Sequence, residues 1–196
     1  MTRALRLTLP VHTLGMILGL IGSLIFSGTA CAELPAKLSI DGQTWPRRGE
    51  GTATYLWFDV YDAGLYTPKP VSAARVLEPD TPRALVLHYH QRVSAAQIRE
   101  ASQTVLERQY DPSQLAALQP ALDALESSMQ SVQPGDRYTL IWQPPRLILQ
   151  FNQRTVFSRE DAALAQAYFG IWLGASPLSE SLKAALLPAE ARASAQ

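Results

Sequence analysis

Residues 52–66 read TATYLWFDVYDAGLY, and this segment decides how the fold begins. It is dense in β-branched and aromatic residues, which favour β-strands. Regular pleating of one continuous strand puts alternate side chains on one face of a sheet: Tyr55, Trp57, Asp59 and Tyr61. We therefore predict a long strand here, within a strand-rich region that covers residues 37–66.

The chain after this segment changes from strand to helix. Residues 83–90, RALVLHYH, predict a further strand. Ser94 with Gln97 three residues later forms a capping box, which predicts the start of a helix. Asp111-Pro112 predicts the start of a second helix, because Asp is a favoured cap and Pro a favoured first residue. We expect Pro120 to kink or split that helix.

The C-terminal third repeats the order of strands followed by helices. Three short strands are predicted at residues 137–142, 147–151 and 155–157. Ser158 with Asp161 predicts the cap of a helix that ends at Gly174 in a left-handed conformation. A last short helix is predicted for residues 179–187. Strands, a helical layer, a β meander and further helices together predict an α+β fold, with an antiparallel β-sheet and a layer of helices packed on one face.

The N-terminus predicts export. Arg3 and Arg6 precede an uncharged apolar run, residues 14–26, which small residues follow. This pattern is typical of a signal peptide over residues 1–32, cleaved after Ala32, and it predicts a periplasmic or secreted protein. The alternative is a lipoprotein in which Cys31 is lipidated. The apolar run is shorter than the roughly 20 residues that a spanning helix needs, so we expect no membrane span.

Cleavage leaves residues 33–187 as one domain and 188–196 as a disordered tail. Removal of two arginines takes Lys+Arg from 17 to 15 against 17 acidic residues, so the net charge becomes about −2. This balance predicts no affinity for nucleic acid. Because the single cysteine lies in the predicted signal peptide, the mature chain has no disulfide and no cysteine nucleophile. We expect a monomer without a cofactor.

Four segments carry a resemblance to a known family. They are DVYDAGLYTP at 59–68, YHQRVSAAQI at 89–98, QPGDRYTL at 133–140 and AYFGIWLGASPLSESLKAALL at 167–187. The chain resembles the bacterial chalcone isomerase-like proteins, small and usually exported relatives of plant chalcone isomerase. The resemblance implies an antiparallel sheet with helices on one face and a ligand cleft between them.

The same resemblance allows a residue-by-residue comparison with the plant enzyme, which uses an Arg, a Thr, a Tyr and an Asn. The Arg position falls on Arg48, beside Arg47, and the Thr position falls on Tyr61. The Tyr and Asn positions fall on Ile98 and Val105, whose side chains can neither order water nor stabilise a phenolate. The resemblance therefore implies no catalytic site of this kind.

A second branch of the family binds fatty acids, with an Arg and a Tyr that grip the carboxylate. Arg48 and Tyr61 are candidates for that role, because a guanidinium matches a carboxylate bidentately. Ile98 and Val105 are then candidates for the apolar wall of the pocket. The alternative is that Arg48 lies on a solvated turn and Tyr61 packs as an ordinary strand residue.

Other groups of polar residues in the sequence give weaker indications of function. His88 and His90 share a strand face and are a candidate zinc or copper pair, but the sequence offers no third ligand near them, so no metal site is predicted. Asp59 and Asp62 point to opposite strand faces, which argues against paired acid–base carboxylates. The leading hypothesis is therefore a non-catalytic protein that binds an amphipathic ligand. An isomerase or lyase for another substrate, and an envelope interaction protein with a vestigial cleft, remain alternatives.

Overall fold

The structure, a computed structural model, describes residues 34–187. The predicted signal peptide, its cleavage site, Cys31 and the predicted tail at 188–196 lie outside the described residues. Among the residues described, no helix is long and apolar enough to cross a membrane.

Seven strands form one antiparallel sheet in simple sequence order, β1 to β7. Each strand pairs with the next along the chain, which is the arrangement of a meander. The strands are β1 (Lys37–Ile40), β2 (Gln43–Tyr55), β3 (Phe58–Tyr66), β4 (Arg83–Tyr89), β5 (Arg137–Gln143), β6 (Arg146–Phe151) and β7 (Arg154–Glu160).

Four helices cover one face of this sheet. They are α1 (Ala95–Gln109), α2 (Pro112–Ser127), α3 (Ala162–Leu173) and α4 (Glu180–Leu186). The main core contains side chains from every helix and from one face of the sheet, whereas a smaller apolar cluster on the other face contains no helical residue. The predicted α+β fold with helices on one face of an antiparallel sheet is therefore confirmed.

The helix starts follow the predicted caps at two positions. Ser94 accepts a hydrogen bond from the backbone N–H of Gln97 and completes a capping box at α1. Asp111 does the same at α2, where Pro112 is the first helical residue. Pro120 lies inside α2 but does not split it, because the helix continues to Ser127. Each cap satisfies backbone donors that a helix start otherwise leaves without partners.

The predicted single strand over 52–66 is wrong, because the chain reverses in its middle. Leu56 and Trp57 form the turn of a hairpin, with φ values of 46° and 75°. Tyr55 therefore pairs with Phe58, and the strand face proposed for Tyr55, Trp57, Asp59 and Tyr61 does not exist. A two-residue hairpin turn needs positive φ values, and Asn-Gly rather than Leu-Trp is the usual signal for it.

Two details at α3 also differ from the prediction. Its cap is Asp161, whose carboxylate accepts from the backbone N–H of Leu164, and Ser158 lies within β7. Gly174 ends the helix with an extended backbone, not a left-handed one. A glycine is needed there for space, since a Cβ would clash with the Gln109 side chain and lie 2.5 Å from the Gly170 carbonyl oxygen.

Candidate functional site

A narrow cavity lies between the sheet and the helices. Its volume is about 30 Å³, and its walls come from β4, β5 and β6 on one side and from α1, α3 and the segment after α2 on the other. Most of the lining is apolar. The lining residues are Leu85, Leu87, Tyr89, Ile98, Met129, Tyr138, Leu140, Leu149, Tyr168 and Trp172.

The strand periodicity explains why these side chains meet. Leu85, Leu87 and Tyr89 alternate along β4, so all three point to the helical side of the sheet. The capped start of α1 holds Ile98 over the same region. From the other side, α3 contributes Trp172, which is 8% exposed.

Tyr61 does not line this cavity but contacts two residues that do, Tyr89 and Trp172. The Tyr61 and Tyr89 ring centroids are 5.4 Å apart. The Tyr61 hydroxyl accepts a hydrogen bond from the indole N–H of Trp172 at 3.0 Å. A hydroxyl that accepts one hydrogen bond becomes a better donor in a second, because hydrogen bonds polarise one another.

Among the hydroxyl groups that line the cavity, that of Tyr89 has no hydrogen-bond partner in the described part of the chain. Trp45 Nε1, two nitrogens of Arg83 and Glu126 Oε1 are also without partners there, but none of these residues lines the cavity. The Tyr89 ring contacts Tyr61 and Tyr138, but no described residue donates to its oxygen or accepts its proton. Burial raises the pKa of Tyr89 well above the usual value. Burial also raises the pKa of Tyr61 to about 12. Both phenols are therefore neutral donors near pH 7.

The other two tyrosines of the cavity already have partners. The Tyr138 hydroxyl donates to the backbone carbonyl of Gln130 at 3.0 Å and accepts from its N–H at 2.7 Å. The Tyr168 hydroxyl lies 3.4 Å from the hydroxyl of Ser102. Both rings therefore shape the cavity wall, and Tyr89 remains the polar group that is free to meet a ligand.

The structure brings some of the sequence-predicted site residues to this cavity and not others. Ile98 lines it, and Tyr61 contacts the lining residues Tyr89 and Trp172 without lining the cavity itself. Val105 is fully buried in the main core and does not line the cavity.

Arg48 lies at the far end of the β2–β3 hairpin. Its Nε donates to the Thr67 hydroxyl at 2.9 Å and its guanidinium donates to the Thr67 carbonyl at 3.0 Å. Thr67 is six residues beyond Tyr61, which corresponds to about 20 Å of extended chain. Arg48 and Tyr61 therefore do not converge on one carboxylate in this structure.

Sequence reasoning did not select Tyr89 and Trp172. Tyr89 stood inside a predicted strand with no signal that its hydroxyl lacks a partner. Trp172 meets Tyr61 through a hydrogen bond between residues 111 positions apart, which no local sequence signal indicates. The alternation along RALVLHYH, which puts Tyr89 on the face of Leu85 and Leu87, was the signal available for Tyr89.

A second cluster of chemically active side chains lies on the opposite face of the sheet. Asp62 on β3 stands directly across from His88 on β4. His90 Nε2 is 2.8 Å from the Asp62 carboxylate, and ligand atoms of all three residues lie within 4.8 Å of one another. The premise that the histidine pair has no third ligand nearby is therefore wrong.

The electrostatics of this cluster are set by burial and by neighbouring charges. Burial is the main cause that lowers the pKa of His88, with the Arg137 charge as the next cause. His88 is 5% exposed and therefore stands as a neutral ring at pH 7. The side chains of Asp62 and His90 are 36% and 29% exposed, so solvent reaches this side of the cluster.

The sequence and the fold of this chain are similar to those of known proteins. The family model described as chalcone isomerase-like matches residues 27–188. Among solved structures, a fatty-acid-binding protein of Arabidopsis thaliana is similar, with a TM-score of 0.60 at 16% identity. The match covers 79% of this chain and 90% of the plant protein. No curated protein sequence matches. Because the family model spans most of the sequence, the chain belongs to the chalcone isomerase-like family.

Proposed function

We propose that this protein is an exported, non-catalytic member of its family that binds a small amphipathic ligand, such as a fatty acid, between the sheet and the helices. The observation that carries the proposal is the mostly apolar cavity, whose lining includes Tyr89 with a hydroxyl that has no partner among the described residues. The fatty-acid binding named for the similar plant structure supports the same class of ligand.

The chemistry of the cavity matches a carboxylate with an apolar tail. Tyr89 donates its hydroxyl proton to the ligand carboxylate, and Tyr61 beside it is a second donor. A hydrogen bond to an ionised acceptor is shorter and roughly twice as strong as a neutral one. Leu85, Leu87 and Ile98 then contact the hydrocarbon chain.

The same residues argue against catalysis by proton transfer. General acid–base catalysis needs a group whose pKa lies near the working pH. Burial keeps the pKa of Tyr61 at about 12, five units above neutrality. The helix positions that carry polar groups in the plant enzyme are occupied by Ile98 and Val105, which have none.

Ligand entry requires the cavity to widen. A volume of about 30 Å³ holds about two water molecules, whereas ligand pockets reach several hundred Å³. Ile98 and Met129 are the half-buried members of the lining on the helical side. Both side chains are partly exposed and Met is unbranched and adaptable, so we propose that α1 and the segment around Met129 move outward when an acyl chain enters.

Export rests on the N-terminal sequence. The charged start, the apolar run and the small residues before Glu33 are the pattern that signal peptidase recognises. A mature chain without cysteine is indifferent to an oxidising compartment.

The test is acyl-ligand binding by the purified mature protein. Native mass spectrometry and solvent extraction would reveal a copurifying ligand, and titration with palmitate would give the affinity of the delipidated protein. Three variants locate the site: Tyr89→Phe removes the hydroxyl, Ile98→Trp fills the cavity, and Arg48→Ala removes the distant guanidinium. Tyr110→Phe is the matched control, because this tyrosine lies in a surface groove between α1 and α2.

We expect Tyr89→Phe to weaken palmitate binding about tenfold, which corresponds to the loss of one hydrogen bond to a charged group. Ile98→Trp should abolish binding, and Arg48→Ala and Tyr110→Phe should leave it unchanged. Loss of binding in Arg48→Ala alone would move the site to the other end of the hairpin. The proposal is refuted if no preparation contains a bound acyl ligand and the delipidated protein does not bind added palmitate.

A further inference from the structure

The cluster on the second face of the sheet has the composition of a metal site. It combines two imidazoles and one carboxylate from neighbouring strands: Asp62, His88 and His90. His88 lies on β4 and His90 is the residue directly after the end of that strand, with the two ring centroids 5.2 Å apart. Strand pairing puts Asp62 opposite His88. The sheet therefore holds two of the three ligands, and the backbone N–H of His90 donates to the carbonyl of Val60 on β3 at 2.8 Å, which fixes the third beside them.

Its dimensions are close to those that a small divalent ion requires. Zinc bonds to imidazole nitrogen and carboxylate oxygen at about 2.0–2.2 Å, which puts tetrahedral ligand atoms about 3.3–3.5 Å apart. Here the closest pair, His90 Nε2 and Asp62 Oδ2, is 2.8 Å apart, and no pair exceeds 4.8 Å. Small side-chain rotations bring all three atoms to bonding distance.

The surroundings hold the ligands in place and leave room for a fourth. The second carboxylate oxygen of Asp62 accepts from the Thr52 hydroxyl at 2.7 Å, which orients the first toward His90. Such second contacts typically change metal affinity about 10–100-fold. The half-exposed side of Asp62 and His90 admits water as the fourth ligand.

We propose that Asp62, His88 and His90 bind a divalent transition-metal ion such as Zn²⁺ or Cu²⁺, at a site separate from the acyl cavity. Imidazole with carboxylate suits zinc and copper and disfavours magnesium, which prefers oxygen ligands.

The experiment is a titration of tag-free, chelator-stripped protein with ZnCl₂, followed by calorimetry, with MgCl₂ in parallel. Asp62→Asn and His90→Gln remove ligands at half-exposed positions, where the fold tolerates change. Asp59→Asn is the matched control, because Asp59 accepts from Thr54 in the same hairpin as Asp62 does from Thr52 but lies outside the cluster.

We expect one zinc per chain, at least tenfold weaker binding in both ligand variants, and no change in the control. Magnesium should not bind. The proposal is overturned if the unmodified protein does not bind zinc. It is also overturned if Asp62→Asn binds zinc as tightly as the unmodified protein does.

An independent feature is the tip of the β2–β3 hairpin, where four consecutive large apolar side chains are exposed: Tyr55, Leu56, Trp57 and Phe58. Trp57 is 96% exposed, whereas Trp45, Trp142 and Trp172 are at most 8% exposed. Soluble monomers rarely leave such a patch without a partner. The tip extends beyond the end of β4, since the pairing of β3 with β4 stops at Tyr61.

The shape, chemistry and charge of this tip favour one partner, a lipid bilayer surface. The tip is a convex turn, so it needs no matching groove in a soft apolar phase. Trp and Tyr are the residues that prefer the membrane interface, since their rings are apolar with a polar edge. The charged residues of the hairpin from Glu50 to Asp62 are all acidic, which fits zwitterionic better than anionic lipid.

We infer that this tip docks the protein on zwitterionic membrane surfaces. Tryptophan fluorescence tests the inference, because Trp57 is the exposed indole among those described. On addition of phosphatidylcholine vesicles we expect a blue shift in the full mature protein. Vesicle cosedimentation should fall about tenfold or more in Trp57→Ser, since the burial of one large side chain is lost.

Leu178→Ser is the control, because Leu178 is an exposed leucine far along the chain from the hairpin. It should bind vesicles as the unmodified protein does. The inference is overturned if the protein does not bind vesicles but self-associates, and Trp57→Ser abolishes that self-association. The partner of the tip would then be a second copy of this chain. Equal vesicle binding by Trp57→Ser and the unmodified protein would also overturn the inference.

Discussion

Replacing Gly49 by alanine tests how strand β2 packs against helix α4. A Cβ built at Gly49 lies 2.7 Å from the carbonyl carbon of Leu186 and closer still to the carbonyl oxygens of Ala185 and Leu186. Unstrained carbon contacts lie at about 3.5–4.0 Å. Because the obstructing atoms are backbone, α4 must retreat by about 1 Å.

The cost follows from what holds α4 in place. Leu182 and Leu186 are its buried side chains, at 2% and 0% exposure. A radial gap of about 0.5–1 Å forfeits roughly a quarter to a half of the contact energy along an interface. With the strain of overpacking, we expect Gly49→Ala to lower the free energy of unfolding by about 2–3 kcal/mol. The midpoint temperature should fall by about 4–12 °C.

Two further glycines give a graded control. At Gly51 a Cβ meets side-chain atoms, Ala185 Cβ at 2.8 Å and Leu182 Cδ1 at 3.1 Å, so part of the strain relaxes. We expect about half the cost for Gly51→Ala. At Gly170 in α3 the nearest atom is 3.7 Å away, so Gly170→Ala should be neutral or stabilising by up to about 1 kcal/mol. Urea unfolding monitored by circular dichroism gives all three values. A Gly49→Ala variant as stable as the unmodified protein, or less affected than Gly170→Ala, would refute the reasoning.

Burial raises the pKa of Glu126 to about 7 from 4.5, so the folded state keeps a proton that the unfolded state loses, and stability falls as the pH rises through that window. Glu126→Gln removes this pH-dependent loss of stability. In urea unfolding the variant should be about 1–3 kcal/mol more stable than the unmodified protein at pH 8 but not at pH 4.5. If the stabilities of the two proteins change with pH in parallel, the prediction is wrong. Ser94→Ala removes the cap of α1 and should cost about 1 kcal/mol in the same assay, and no change would show that the cap is dispensable. The mass of the exported protein should correspond to a chain that starts at Glu33, whereas a lipidated Cys31 would give a heavier species.

The local signals in the sequence were sufficient for the element order and the fold class. The capping box at Ser94 and Gln97 and the Asp111 cap were visible because a helix start depends on residues within one turn. The hairpin turn at Leu56 and Trp57 was not visible, because neither residue is a turn former and nothing local indicates a positive φ. Ser158 was predicted as a cap because it precedes the helix closely, but pairing of β7 with β6 keeps it in the sheet.

The candidate site depended on contacts between distant residues. The alternation along β4 determined that Leu85, Leu87 and Tyr89 share a face, and the start of α1 determined that Ile98 lies in its first turn. Only tertiary packing decided that the Tyr89 hydroxyl stays without a partner.

Arg48 shows that position in the sequence alone does not determine which residues a side chain contacts. The sequence determined that an arginine stands near the start of the hairpin, and the register of β2 with β3 decided that it meets Thr67 and not Tyr61. The reach of an arginine side chain is well short of the roughly 20 Å of strand between Thr67 and Tyr61, so strand register decides which groups the guanidinium can contact.

In the metal-ligand cluster, too, one part was determined by the local sequence and another only by the tertiary structure. The spacing of His88 and His90 determined by itself that the two rings share one face of a strand, because side chains in a strand repeat every second residue. The third ligand, Asp62, is 26 positions before His88, and only the pairing of β3 with β4 decided that it stands opposite. Periodicity within an element is written in the local sequence, whereas register between elements is fixed by the burial of both faces of the whole sheet.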